Sequence, residues 1–156
     1  MGKILAYTIN VALVRNDRST HTYGLQNQLM AQAAVVRVTE RCSDLASQLS
    51  AANPPDLIFT DLDLPDGTWE DILQLAQKAP VPVNVIVVSR LVDIRLYIEA
   101  LEKGAFDFIT PPFEAFELSH VLRTAFWNVV QKREAQSRAS LLSDPSRMRR
   151  DLAVAS

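Results

Sequence analysis

The stretch IFTDLDLPDGT, residues 58–68, places two carboxylates directly after an apolar run. The run ends at Asp61, and Asp63 lies two positions further on. The turn-forming sequence Pro-Asp-Gly at 65–67 follows. A short run that is apolar throughout its middle is typical of a strand covered on both faces of a parallel sheet. The stretch therefore predicts a pair of carboxylates at the carboxyl end of a central strand.

Strand-like and helix-like segments alternate along the rest of the chain. Five segments rich in apolar and β-branched residues are predicted as strands: 10–15, 34–40, 56–60, 84–89 and 106–110. Strict alternation with helices predicts a doubly wound α/β fold, in which a five-stranded parallel sheet carries helices on both faces.

The fourth helix is predicted over residues 93–104, with Gly104 as its stop. Ile94, Tyr97, Ile98 and Leu101 share one face of it, as in an amphipathic helix. In the first helix, the apolar positions include Tyr23, Leu25, Leu29 and Met30. A long fifth helix begins near Glu114.

Polar side chains follow the strands at the edge where such sheets bind ligands. Asn16 and Asp17 follow the first strand, Asp61 and Asp63 the third, and Ser89 the fourth. Close carboxylates repel each other unless a cation lies between them. Mg²⁺ prefers such oxygens as ligands and can bind phosphate oxygens at the same time. The sequence predicts magnesium-assisted transfer of a phosphoryl group to a carboxylate.

Three motifs carry a family resemblance: LVRNDRST (13–20), PDLIFTDLDLPDG (55–67) and GAFDFITPPF (104–113). Together and in this order they resemble the receiver domain of two-component response regulators, over roughly residues 8–130. The resemblance implies a flavodoxin-like (βα)5 fold and a cytoplasmic signalling module rather than an enzyme.

Within that resemblance, Asp61 matches the phosphoacceptor. Asp17 matches the second acidic residue of the Mg²⁺-binding pair, and Asn16 stands where the first usually is. The backbone carbonyl of Asp63 matches a further metal ligand.

Two more residues match the parts of the family that respond to phosphorylation. Ser89 matches the switch serine or threonine, and Phe108 the aromatic residue of the fifth strand. The resemblance implies a histidine kinase or phosphotransfer protein as donor. It also implies that the face formed by the fourth helix, fifth strand and fifth helix binds a downstream protein or a second copy.

The chain departs from the family at the lysine that precedes Pro-Phe, because Pro111 stands there and offers neither a cation nor an N–H. Arg90 follows Ser89 where the family has a small residue. Arg15 or Arg90 could replace the missing charge. The alternative is a pseudo-receiver that acts as an interaction or dimerisation module without phosphorylation. Whether Pro111 and Pro112 join through a cis bond stays open.

Two other phosphate-related motifs fit the chain less well and are rejected. Haloacid-dehalogenase-type phosphatases use D-x-D-x-T, but on their first strand, and position 65 here is proline. Residues 19–24, STHTYG, faintly resemble the phosphate loop of flavodoxins but lack its internal glycine.

Composition limits the remaining possibilities. A chain of 156 residues with 48% hydrophobic residues predicts one domain, residues 1–130, followed by a polar and partly disordered tail, 131–156. The net charge of −2 favours neither nucleic acid nor an anionic membrane as a partner. The single cysteine, Cys42, excludes an internal disulfide. His21 and His120 are expected at surface or boundary positions, without metal-ligand spacing.

Overall fold

The computed structural model describes residues 8–143. The strands are β1 (Asn10–Val14), β2 (Val35–Thr39), β3 (Leu57–Thr60), β4 (Asp63–Leu64), β5 (Gly67–Thr68), β6 (Asn84–Val88) and β7 (Asp107–Ile109). The helices are α1 (His21–Ala31), α2 (Cys42–Leu49), α3 (Trp69–Lys78), α4 (Ile94–Glu102) and α5 (Ala115–Leu142). Each of the five predicted strands is present, with its ends within one residue of the prediction.

The main sheet has the strand order β2-β1-β3-β6-β7, and every neighbouring pair in it is parallel. The predicted flavodoxin-like arrangement is thereby confirmed. β2 lies on one side of β1 and β3 on the other, so the strand order reverses between β1 and β3. The crevice at such a point is where these sheets bind ligands. Asn16 and Asp61 follow these two strands.

Alternate strand residues face two separate cores. Ala12 and Val14 of β1, with Ile58 of β3, pack towards α2, α3 and α4. Leu13 of β1 and Phe59 of β3 pack on the opposite side, towards α1 and α5. Covering on both faces explains why the middle residues of β1 and β3 are continuously apolar.

The apolar face of α4 does not pack into the core. Ile94, Tyr97, Ile98 and Leu101 are between 37% and 68% exposed, whereas Ala100 is fully buried. The helix is short and meets the sheet through a narrow strip, so most of its apolar surface is left to solvent.

The apolar residues of α1 differ in how far they are exposed. Leu25 and Leu29 are buried, while Tyr23 and Met30 are exposed and Thr22 takes a buried position.

The fifth helix continues without a break past the predicted domain boundary at residue 130 and ends at Leu142. Arg133 and Gln136, both beyond that boundary, donate hydrogen bonds to the carbonyl oxygens of Pro82 and Pro80. The boundary at 130 remains a prediction, and the part of the predicted tail from residue 144 onward lies outside the described residues. Among residues 8–143, no helix is long and apolar enough to cross a bilayer.

A hairpin of β4 and β5 follows Asp61, and its tip caps the first residues of α2. Asp66 at its tip accepts the backbone N–H groups of Cys42 at 2.7 Å and Ser43 at 3.1 Å. These bonds, led by that of Cys42, hold the pKa of Asp66 below its ordinary value. Burial, followed by the charge of Asp66, raises the pKa of the Cys42 thiol to about 11, so that this buried cysteine stays protonated.

We expect Gly67→Ala to lower the free energy of unfolding by about 1–3 kcal/mol, because an added methyl overpacks the hairpin. Its Cβ would lie 2.6 Å from Oδ2 of Asp71 and 2.9 Å from Sγ of Cys42. The same Asp71 oxygen accepts the N–H of Thr68 at the start of α3, and this cap would be disturbed. Urea unfolding measures the change.

The matched control is Gly24→Ala, in the exposed middle of α1, where a Cβ meets nothing within 4 Å. That change should be neutral or stabilising, since alanine is the better helix former. Equal effects of the two substitutions would contradict the packing assigned to the hairpin.

Candidate functional site

Asp61 lies at the carboxyl end of β3 and is almost completely buried, with 2% of its surface exposed. Its backbone N–H donates to the carbonyl oxygen of Val14 in β1, which fixes the position of the residue at the crevice. Its oxygen Oδ2 accepts the backbone N–H of Asn16 at 2.7 Å. Its other oxygen, Oδ1, has no hydrogen-bond partner among the described residues.

His21, the first residue of α1, faces that free oxygen. Its Nε2 lies 3.1 Å from Oδ1 of Asp61, an ion-pair distance, but the contact lacks the alignment of a hydrogen bond. Burial raises the pKa of Asp61, and the Asn16 N–H, His21 and Ser19 oppose that shift without cancelling it. His21 is thus a site residue that the sequence prediction missed. The available signal was its place at the start of the helix that follows the acidic loop.

The residues around Asp61 open onto a cavity of about 490 Å³. Its polar lining is formed by Asn16, Ser19, His21, Asp63, Ser89, Arg90 and Asp93. Asp61 itself does not line this cavity, because it lies beneath residues that do. A ligand that enters the cavity therefore meets Asn16 and His21 first.

The predicted metal ligands are only partly assembled. The carbonyl oxygen of Asp63 accepts the side-chain amide of Asn16 at 3.2 Å, so these two residues meet at the cavity. Asp17 is exposed and is not among the lining residues. Within residues 8–143, no cluster of three or more His, Cys, Asp or Glu side chains is placed to hold a metal ion.

Mg²⁺ fits this donor set in part. The Asp61 carboxylate is a buried oxygen donor beside the cavity, and the Asp63 carbonyl adds a second oxygen at the cavity wall. Mg²⁺ commonly takes one or two carboxylates and completes its shell with water and phosphate oxygens. Asp61 and the Asp63 carbonyl can contribute in that way, whereas the place of Asp17 as a ligand stays a prediction.

Of the two predicted switch residues, Ser89 precedes the loop that enters α4, and Phe108 of β7 contacts Tyr97 of α4. The Ser89 hydroxyl, buried at the end of β6, donates to the carbonyl oxygen of Leu91 at 2.9 Å and accepts its N–H at 3.3 Å. Phe108 of β7 is buried, and its ring meets that of Tyr97 edge-on, with centroids 5.8 Å apart. Ser89 thus has the contacts of a local turn residue, and Phe108 those of a core residue.

The two arginines that could replace the charge of the missing lysine do not pair with Asp61. The Arg15 guanidinium lies 4.1 Å from the centre of the Tyr23 ring, and Arg90 is an exposed residue of the cavity wall. Neither takes part in the ion pairs found within residues 8–143. Pro111 is joined to Pro112 by a cis bond, which answers the question left open by the sequence.

Comparisons with known proteins match this chain to one family. A family model described as "Response regulator receiver domain" matches residues 12–123. The DNA-binding transcriptional regulator NtrC of Rhizobium meliloti is 33% identical over 121 residues, which are 77% of this chain and 24% of that protein. The chain therefore spans about a quarter of the length of this relative.

Solved structures show the same fold at low identity. A response regulator from Thermotoga maritima aligns with a TM-score of 0.64 and 24% identity, over 77% of this chain and 98% of that chain. The beryllofluoride-activated NtrC4 receiver domain dimer, determined in solution, aligns with a TM-score of 0.63 and 20% identity, over 76% and 98% of the two chains.

Proposed function

Because this chain belongs to the response-regulator receiver family, we propose that it is switched by transfer of a phosphoryl group to Asp61 from a histidine kinase or phosphotransfer protein. One observation carries the proposal: a carboxylate at the switch point of the sheet has one oxygen held by the Asn16 N–H at 2.7 Å, while the other accepts no hydrogen bond. The hydrogen bond orients the carboxylate, and Oδ1 can act as the nucleophile.

Magnesium supports this reaction by neutralising the charge of the transferred group. We assign the Asp61 carboxylate and the Asp63 carbonyl as its protein ligands, with Asp17 of the adjoining loop as a third. The Asn16 side chain, which now bonds the Asp63 carbonyl, lies where it can contact the ion or one of its waters.

The output of the switch is the loop between β6 and α4. Once a phosphoryl oxygen is available, the Ser89 hydroxyl exchanges its bond to Leu91 for one to that oxygen. Leu91 and Val92 in this loop are 72% and 81% exposed and continue the apolar surface of α4. A local change at Ser89 therefore alters a surface suited to a protein partner, which the −2 net charge favours over nucleic acid.

A second candidate function is that of a pseudo-receiver, which binds a partner or a second copy without phosphorylation. The position of Asp17 outside the cavity and proline at 111 favour it. The NtrC4 neighbour is a dimer by its own description, and α4 of this chain exposes apolar side chains that suit such a contact.

Intact-mass measurement after incubation with acetyl phosphate and Mg²⁺ tests the first function against the second. We expect a single phosphate adduct on the wild-type chain and none on Asp61→Asn, because the amide is not a nucleophile. A wild-type chain that forms no adduct, and shows no Mg²⁺ binding by calorimetry, would support the pseudo-receiver instead.

A further inference from the structure

Three buried polar atoms without partners meet beside Asp61. They are Oδ1 of Asp61 and both ring nitrogens of His21, and none completes a hydrogen bond with the described residues. The His21 side chain is 12% exposed and that of Asp61 only 3%. More than about nine in ten buried polar groups in proteins are paired, so this contact, with Nε2 3.1 Å from Oδ1 and no aligned hydrogen bond, leaves bonding capacity for a ligand.

The chemistry of the three atoms indicates which occupant fits. Mg²⁺ at the carboxylate would not satisfy the imidazole, because the imidazole needs an acceptor for its N–H. A phosphoryl group on Oδ1 brings three strong acceptor oxygens to within reach of Nε2. The imidazole can donate whether it is neutral or charged, since either form carries at least one N–H.

No lysine of residues 8–143 pairs with Asp61. Lys103 pairs with two glutamates at the surface, Lys132 donates to Asn84, and Lys78 ends α3. Among the described residues, His21 is the basic side chain that lies within ion-pair distance of Asp61.

Resting on the proposed phosphorylation of Asp61, we infer that His21 takes the part of the absent lysine. It pairs with the carboxylate before transfer and donates a hydrogen bond from Nε2 to a phosphoryl oxygen during and after transfer. In that step the bond between Oδ1 and phosphorus forms while the donor's P–N or P–O bond breaks. The leaving group keeps the electron pair, and a departing imidazole then takes a proton from water. His21 itself neither gains nor loses a proton.

Two polar substitutions that differ in reach test this role. His21→Gln keeps an amide N–H near the position of Nε2, whereas His21→Asn has the same chemistry but stops near Nδ1. We expect the asparagine variant to be phosphorylated by acetyl phosphate about 10- to 100-fold more slowly, which is the value of a hydrogen bond to a charged group. The glutamine variant should stay within about threefold of the wild type, because its N–H still reaches the phosphoryl oxygen.

The rates are measured by intact mass at saturating Mg²⁺, so that altered metal affinity is not mistaken for slower chemistry. Beryllofluoride affinity, measured by calorimetry, should follow the same order. His120→Asn, at an exposed position of α5, is the matched control and should behave as wild type. Thermal unfolding checks that each variant is folded.

The outcomes separate the two proposals. A wild-type chain that forms no adduct and binds no beryllofluoride defeats the proposed function itself. If the wild type is phosphorylated and His21→Asn is as fast or faster, the inference about His21 is wrong while the function stands. A glutamine variant as slow as the asparagine variant also overturns it, because restored reach would then have no effect.

Discussion

Arg133→Ala should lower the free energy of unfolding by about 2–4 kcal/mol, because it breaks an ion pair that is largely shielded from water. Its guanidinium donates to Oδ1 of Asp56 at 2.7 Å and to the carbonyl oxygens of Pro82 and Pro55 at 2.9 and 3.0 Å. The Asp56 side chain is 9% exposed, and its other oxygen accepts the N–H of Asn10 at the start of β1. Removal of Arg133 leaves a buried carboxylate oxygen without its partner. We expect a smaller loss of unfolding free energy than for a fully buried ion pair, because the Arg133 side chain is 27% exposed.

Urea unfolding of Arg133→Ala, compared with Arg138→Ala, measures this effect. Arg138 is an exposed residue of the same helix, so its loss should change stability by less than about 0.5 kcal/mol. In an Asp56→Asn background the cost of Arg133→Ala should shrink, because no buried charge remains to be left unpaired. Equal stability of the two alanine variants would contradict the stabilising role assigned to Arg133.

Asp61→Asn should raise the free energy of unfolding at neutral pH by about 1–3 kcal/mol, although it abolishes the proposed phosphorylation. Burial of this carboxylate raises its pKa, so the folded state disfavours the charged form. An asparagine keeps an oxygen for the Asn16 N–H and carries no charge. The Asp61 carboxylate is therefore expected to lower the free energy of unfolding when no ligand is bound.

The pH dependence gives this prediction a definite sign. At low pH the carboxyl group is protonated in the folded and unfolded states alike, and its burial carries no charge penalty. As the pH rises past the ordinary value near about 3.9, the unfolded state loses its proton first, and stability falls until the folded state is ionised too.

Urea midpoints between about pH 3 and pH 7 should therefore show a gap between Asp61→Asn and wild type that widens as the pH rises. Addition of Mg²⁺ should narrow the gap if the ion binds the wild-type carboxylate. A variant that is less stable than wild type at every pH would contradict the burial argument.

The sequence identified the main features of the site because they lie close together in the chain. Asp61 stands at the end of an apolar strand and before a Pro-Asp-Gly turn, and each of these signals is local. Neither signal says what lies across the crevice. The sequence predicts a surface or boundary position for His21, yet this residue meets Asp61 from a helix forty residues earlier in the chain.

Helix ends show the same limit. The N-cap residue of α2, Arg41, makes no side-chain capping bond, and Asp66 of a distant hairpin accepts the first N–H groups of that helix. The apolar face of α4 is recognisable as a face from its spacing, whereas its exposure depends on how little of the sheet this short helix covers.

The sequence by itself determined the alternation of strands and helices, the parallel sheet and the acceptor position, because side-chain periodicity and turn residues act over a few neighbours. Only the tertiary structure decided which groups surround Asp61, that Arg133 of α5 pairs with Asp56 before β3, and that Asp17 stays outside the cavity. These arrangements join residues far apart in the chain. Their energies depend on burial and on the distances between atoms, which are fixed only when the helices pack on the sheet.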